Sequence, residues 1–395
     1  MNDMGYQKIS ALVNQINKQT LGATGAVSID ASNFVSTMTT LLRNGTDPVY
    51  NALSHMWSTT IFEAKQWNSS LLKSIELGLP EWGAAVRRGS PIAMDTVNDA
   101  AMQPPVVPLT DGGTVDQWEI KKQAFVQTNF YGGSGFMQHY STTQKQMREA
   151  FRSEQEFMAF NAMNMQERAN DLEQFRLDCA IALQTNFICA IYDEAIPERV
   201  RHVLTEYNTQ TGQSLTPQTV FRPENYKPFI LWLSAYIQTL TDLMSQRSML
   251  YQQNLTGKPV MRWIAPGSAR VAIHSEFANS IEAMVKSDVR NLNYLSFPKY
   301  EKIPYWQSVK EPKKLLCKPV YTLASGEEYK ATENVAIDNC IGIIHAPEAM
   351  QYCFIDKQSY TTPLNAKGLF YNTYVHAWLK TLQDNTQKAV ILLLD

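Results

Sequence analysis

Between Gly135 and Pro197 the chain carries neither glycine nor proline. Those two residues end helices most readily, so this stretch has room for one helix of unusual length. Ser153, Glu154, Gln155 and Glu156 fit a capping box. Behind them Met158, Ala162, Met165, Ala169, Leu172, Cys179, Leu183, Phe187 and Ala190 mark one apolar face. A helix over roughly 154–192 would be about 50 Å long, about three times the average length. Arg176 interrupts the strict spacing, and no second helix of similar length accompanies it to build a coiled coil or a cofactor bundle. The pattern predicts a single spine helix lying on a sheet.

The segments around it are shorter. Ile9, Leu12, Val13 and Ile16, then Phe34, Val35, Met38, Leu41 and Leu42, predict two small helices, and Asp47-Pro48 opens a third through Leu53 and Met56. None of these stripes could hold a domain alone, so the region is expected to lie across something larger. Residues 89–113 are dominated by turn chemistry, with Pro91, Pro104, Pro105, Pro108, Asp111, Gly112 and Gly113. Strand-like segments at 84–88 and 115–131 flank them, which predicts a long hairpin with a projecting tip, a plain surface loop being the alternative. After the spine, 205–219 reads as a Thr/Gln-rich linker. Helices are expected around Phe229–Leu243 and Phe277–Met284, and a short strand over Val260–Ile264. Short strands broken by prolines fill 294–323, and the last 60 residues are mostly β: 340–345, 351–355, 369–379 and 389–394. The fold class is α+β.

Composition excludes several functions. Hydrophobic residues make up 44% and aromatics 11%, which rules out disorder for most of the chain. A net charge of −2 leaves no basic footprint for a nucleic-acid reader or an anionic-membrane binder. Charged residues are only 18%, below the usual ~25%, while 27 Gln and 24 Asn supply uncharged polarity. Interfaces are depleted in Lys, Glu and Asp, so this surface suits a chain largely covered by neighbours, with compositional drift as the plain alternative. Five cysteines without a C-x-x-C pair suggest neither a disulfide framework nor a zinc site, and fit a reducing compartment. The start of the chain lacks a signal-peptide profile, and the apolar stretches at 228–237 and 389–394 are too short to span a bilayer.

Chemistry-bearing motifs are missing. There is no phosphate loop, H-E-x-x-H helix, G-x-S-x-G elbow or EF-hand loop. Gly132, Gly133 and Gly135 read as a hairpin turn, and the six histidines have no ligand spacing. Asp193/Glu194 and Glu327/Glu328 read as solvated turns, and Arg87/Arg88, Lys121/Lys122 and Lys313/Lys314 as salt bridges or loose phosphate contacts. No residue is assigned a catalytic, cofactor-binding or metal-ligating role. The most specific local feature is the strand 369–379, which places Phe370, Asn372, Tyr374, His376 and Trp378 on one face. Such a face could cradle a sugar or a base, but large apolar residues on both faces favour a central strand buried on both sides.

The run G-L-F-Y-N-x-Y-x-H-x-W from Gly368 to Trp378 resembles a signature near the end of the major capsid proteins of picovirus-type (phi29-like) short-tailed phages. Gly135-Phe136-Met137-Gln138 through Phe151, leading into the long helix, resembles that family's passage from extended loop to spine helix. Ser268–Val289 followed by Asn291–Trp306 resembles its next stretch. The resemblance spans roughly residues 50–395 in consistent order and carries no catalytic motif.

It implies the Hong Kong 97-type capsid fold. Residues 1–65 would be an N-terminal arm, 66–83 a connection, 84–131 the extended loop reaching over a neighbour, and 132–220 the peripheral domain with its spine helix. Residues 221–345 would be the axial domain and 346–395 the closing strands. The chain ends directly after the final strand, without the C-terminal immunoglobulin-like domain of some relatives, and starts without a built-in scaffold helix. The implied function is a virion protein that self-assembles, in the host cytoplasm, as hexamers and pentamers of an icosahedral shell around double-stranded DNA. A separate scaffolding protein, or assembly without one, and a portal at one vertex would accompany it. An encapsulin-like compartment is the same-fold alternative, and an enzyme built around His376 and Tyr374 the different-class one. On the capsid reading, Asn and Gln are expected to concentrate in arm, loop and spine-helix flank, bonded to neighbouring subunits.

Overall fold

The computed structural model describes residues 71–76, 85–92, 122–131, 134–145, 154–288 and 300–395, with 113, 118 and 120. The small helices expected before residue 60 and the loop tip lie outside the described residues. The spine is present as α1, Glu154–Asp193, 40 residues without a break and about 60 Å long. It stops where Ala195 takes a left-handed conformation (φ 51°) ahead of Pro197.

The C-terminal half of α1 covers one face of a five-stranded mixed sheet. Its order is β4 (Val200–His202), β14 (Ala389–Leu393), β11 (Cys340–His345), β5 (Arg270–His274), β6 (Tyr300–Ile303). Three further helices pack on the other face: α2 (Val203–Thr211), α3 (Pro223–Ser245) and α4 (Ser275–Asp288). Alternation along the strands divides the core between the two layers. Ala389, Ile391 and Leu393 join Phe187, Ile188 and Ile191 of α1, while Val390, Leu392 and Leu394 join Phe229, Leu233 and Phe277. Burial on both sides explains the unbroken apolar run of β14. Close packing also fixes Gly342 in β11, where a Cβ would lie 2.7 Å from the Ala272 carbonyl oxygen.

The same helix packs on a second sheet, ordered β12 (Met350–Thr361), β13 (Phe370–Gln383), β3 (Ser134–Thr143). Phe136 of β3 stacks on Phe175 of α1 with ring centroids 3.9 Å apart. Two-stranded pairs complete the described fold: β1 (Ala85–Pro91) with β2 (Phe125–Tyr131), β7 (Leu315–Cys317) with β10 (Val335–Ile337), and β8 (Val320–Thr322) with β9 (Glu328–Lys330). Strands β7, β8 and β10 lie against α1.

Several sequence expectations are corrected. Residues 203–211, which overlap the first part of the expected linker 205–219, form α2, because Val203, Leu204 and Tyr207 share a buried face and Gly212 supplies a left-handed cap (φ 70°). Its threonines bond back into the helix, Thr209 to the Thr205 carbonyl and Thr211 to that of Tyr207. Residues 260–264 form no strand; only an isolated bridge joins Arg262 to Ser248. Gly132 and Gly133, expected in a hairpin turn, lie outside the described residues; of the strands on either side, β2 pairs with β1 and β3 with β13. The second hairpin strand begins at Phe125, not at 115, and 122–124 are irregular.

Arg176 is not a break in the apolar stripe. It is buried, gripping Glu173 through Nε at 3.1 Å and Nη2 at 2.9 Å, with Nη1 on the Tyr352 hydroxyl of β12. Burial lowers its pKa, but Glu173 and Tyr352 outweigh that and hold the guanidinium above its ordinary value. Glu173→Ala would strand this charge, which costs about 3–5 kcal/mol. The expected result is a lower urea midpoint with an unchanged m-value; a loss below about 1 kcal/mol, as for an exposed pair, would show that Tyr352 alone suffices.

Candidate assembly surfaces

Sheet β12-β13-β3 is buried on one side only. Along β13, Tyr371, Thr373, Val375, Ala377 and Leu379 are buried, while Phe370, Asn372, Tyr374 and His376 are half-buried and Trp378 is exposed. This overturns the expectation of burial on both sides: α1 covers one face, and nothing among the described residues covers the other. Register adds neighbours from both flanks. Gly135, Met137, His139 and Ser141 of β3 stand opposite Trp378, His376, Tyr374 and Asn372, and Gln358 and Tyr360 of β12 opposite His376 and Tyr374.

The outer face formed by these residues contains no Asp, Glu, Lys or Arg. Its rings form a connected array, with His139 and Tyr374 at 5.8 Å, Tyr374 and His376 at 6.5 Å, and Tyr360 and His376 at 6.1 Å between centroids. Ser141 bonds Asn372 at 2.5 Å and Tyr360 bonds Gln358 at 2.7 Å. A solvent-facing sheet normally carries charge; aromatic, Met and uncharged polar groups are the composition of an interface core. His376 and Tyr374 therefore lie on an open face and not in a cleft with convergent acids or bases. Among the described residues no group of three His, Cys, Asp or Glu could hold a metal, and no helix is long and apolar enough to cross a membrane.

The hairpin offers the second surface. Phe125 is 69% exposed, Ile120 80% and Trp118 87%, three large apolar side chains within eight positions that also hold Glu119, Lys121 and Lys122. The base of the hairpin is held firmly. Arg88 reaches Asp384 at 2.5 Å and lies over the Phe130 ring at 5.4 Å.

Asp384 belongs to the turn Asp384–Lys388 between β13 and β14, which is polar in every residue and buried throughout. Its carboxylate accepts from Thr386 N (3.0 Å), Thr386 Oγ1 (2.5 Å) and Gln387 Nε2 (3.2 Å). Arg262 donates to the Thr386 carbonyl and hydroxyl, and Lys388 Nζ to Gln246 O and Ser248 Oγ, both at 2.8 Å. Asn385 bonds Glu194, which pairs with the wholly buried Arg199. Burial pushes Glu194 up and Arg199 down, each opposed by the other's charge. Glu194 is thus part of a core pair, not of a solvated turn, while Glu328 of the other acidic dyad stays exposed beside Lys330. Sequence reasoning missed this junction, because D-N-T-Q-K reads as a solvent turn and its partners lie more than 100 residues away.

Residues 9–392 match the family model of the Phi29-like phage major capsid protein. The chain belongs to that family. Its fold is shared with a chain in the structure of the head fiber and inner core protein gp22 of native bacteriophage P68, with a TM-score of 0.53 at 8% identity, covering 84% of this chain and 88% of that one. The capsid structure of Staphylococcus phage Andhra is similar at a TM-score of 0.49 and 7% identity, with the same coverage of both chains. No curated protein matches in sequence. This is the major capsid protein of a tailed bacteriophage, with a mixed α/β fold.

The capsid protein's hairpin anchor carries a pH signature. Burial raises the Asp384 carboxyl, but Thr386, Arg88, Arg262 and Gln387 outweigh it and hold its pKa below the ordinary aspartate value. A depressed acid stabilises the fold fully above its unfolded pKa of about 3.9, and that contribution is lost as pH falls through the folded pKa. Asp384→Asn is expected to cost about 2–3 kcal/mol at neutral pH and to flatten the fall of Tm in acid. Parallel Tm curves for wild type and variant would exclude Asp384 as the titrating group.

Proposed function

We propose that this capsid protein assembles copies of itself, as hexamers and pentamers, into a closed icosahedral shell around packaged double-stranded DNA, on the Hong Kong 97-type capsid fold. The carrying observation is the pair of aromatic surfaces that one subunit leaves open: the outer face of β12-β13-β3, uncharged at its described positions, and the loop that carries Trp118, Ile120 and Phe125. Assembly proceeds in the host cytoplasm with a separate scaffolding protein and a portal at one vertex, and the DNA contact is non-specific, in line with the net charge of −2.

In this reading 1–65 is the arm, 66–83 the connection, 84–131 the extended loop, 132–220 the peripheral domain, 221–345 the axial domain and 346–395 the closing strands. The sandwich of α2, α3 and α4 on the five-stranded sheet supports the axial body. Packing of β7 and β10 on α1 favours grouping 315–337 with the spine. Family membership favours a genome-filled shell over an encapsulin-like compartment.

Deleting Met94–Leu109 tests the loop's role. Sedimentation velocity is expected to show loss of shells while circular dichroism and the cooperative unfolding of the subunit persist. Normal shells from the deletion would refute the loop as an assembly element.

A further inference from the structure

A cleft of about 310 Å³ opens between the 71–76 segment, α1 and strands β5 and β11. It is lined by polar groups the fold leaves unmet. Gln184 of α1 is 1% exposed, yet neither its Nε2 nor its Oε1 has a hydrogen-bond partner. Arg270 of β5 has a buried Nε in the same condition, and among the described residues it makes no ion pair. Arg270 stands directly opposite His345 of β11. The His345 Nδ1 lies 2.7 Å from the Ala346 carbonyl oxygen; a carbonyl only accepts, so Nδ1 carries the proton and Nε2 is an acceptor. Burial, with Arg270 nearby, lowers the pKa of this imidazole to about 4 and keeps it neutral. Glu301, the acid of the cleft, is already committed: its two oxygens accept from Leu72 N and Ser74 Oγ.

The cleft thus presents the Arg270 cation with an unmet Nε and the Gln184 amide with donor and acceptor both unmet, beside the neutral imidazole of His345 and the bonded carboxylate of Glu301. Buried polar groups are ordinarily satisfied, and an unsatisfied set that converges on a cleft of this size defines a ligand. We propose that the cleft binds a phosphate-type oxyanion. Its charge meets Arg270, its oxygens accept from Gln184 Nε2 and Arg270 Nε, and its P–OH donates to Gln184 Oε1 or His345 Nε2. A simple carboxylate lacks the hydroxyl and leaves the acceptors unmet. The bound anion bridges α1 and β5 beside Leu72 and Ile75, so it pins the segment through which residues 1–70 join the body. Free phosphate offers this chemistry in full, whereas the phosphodiester backbone of nucleic acid offers the charge and the accepting oxygens but no P–OH.

The test is thermal unfolding of the full chain at neutral pH and constant ionic strength, with inorganic phosphate, acetate, or an oligodeoxynucleotide lacking terminal phosphates. Phosphate is expected to raise Tm in proportion to the logarithm of its concentration above Kd, with acetate about tenfold weaker. Arg270→Met and Gln184→Leu are expected to abolish the response. Gln184→Leu removes both unmet atoms, so in phosphate-free buffer its Tm should equal or exceed that of wild type. An oligonucleotide response as strong as that to phosphate, abolished by Arg270→Met, would show that the cleft reads charge alone and would overturn the assignment of a P–OH donor. Equal responses in wild type and both variants, no response to inorganic phosphate, or a map of the cleft filled by this chain's own side chains would overturn the proposal.

Discussion

The buried turn Asp384–Lys388 is the point on which the rest of the subunit depends. Five polar residues lie inside the protein; Gln387 bonds Asp384 within the turn, and the other four are met from elsewhere in the chain: Asp384 by Arg88 of the hairpin, Asn385 by Glu194 at the end of α1, and Thr386 and Lys388 by Arg262 and Ser248 after α3. Such a network tolerates only one arrangement, because any displaced member leaves a buried polar atom unmet. Hairpin, spine helix, outer sheet and five-stranded sheet therefore hold fixed relative positions. A hydrophobic plug of equal size would stabilise as well but constrain direction less.

Fixed geometry matters because a shell multiplies any angular error. Each copy offers the same patches to its neighbours, and closure requires that the patches keep their mutual angles. The uncharged face of β12-β13-β3 and the apolar hairpin loop sit on opposite arms of the junction: β13 runs directly into Asp384, and β1 is clamped to it through Arg88. The sheet face, without charge at its described positions, avoids the desolvation cost of burying ions, which suits contacts that must form reversibly and in large number.

The sequence revealed what is local. The spine helix follows from a long stretch free of glycine and proline, β11 and β14 from short apolar runs, and the signature at 368–378 marked the outer-face strand. What it concealed is non-local. Alternation in β13 has large apolar residues at both parities, and only the placement of α1 decides which parity is buried. Arg176 looks like a surface residue until Glu173 and Tyr352 are beside it. The amides divide in a way composition could not foresee. Asn208 clips the backbone of Leu215, Gln307 that of Leu316 and Asn186 that of Val320, each giving and accepting one bond in place of a missing strand. Part of the Asn and Gln excess thus completes the backbone bonding of strands β7 and β8 and of the loop at Leu215 within the subunit.

The central claim is that the open aromatic surfaces of this subunit are the contacts of its shell. Hydroxyl-radical footprinting of unassembled protein and of closed particles reads the relevant side chains directly, since Trp118, Met137, Tyr360 and Trp378 are both exposed in the subunit and readily oxidised. The account predicts that all four become protected on assembly while the exposed Tyr192 of α1 serves as an internal reference for particle accessibility. Oxidation of the four at equal rates in both states would contradict it.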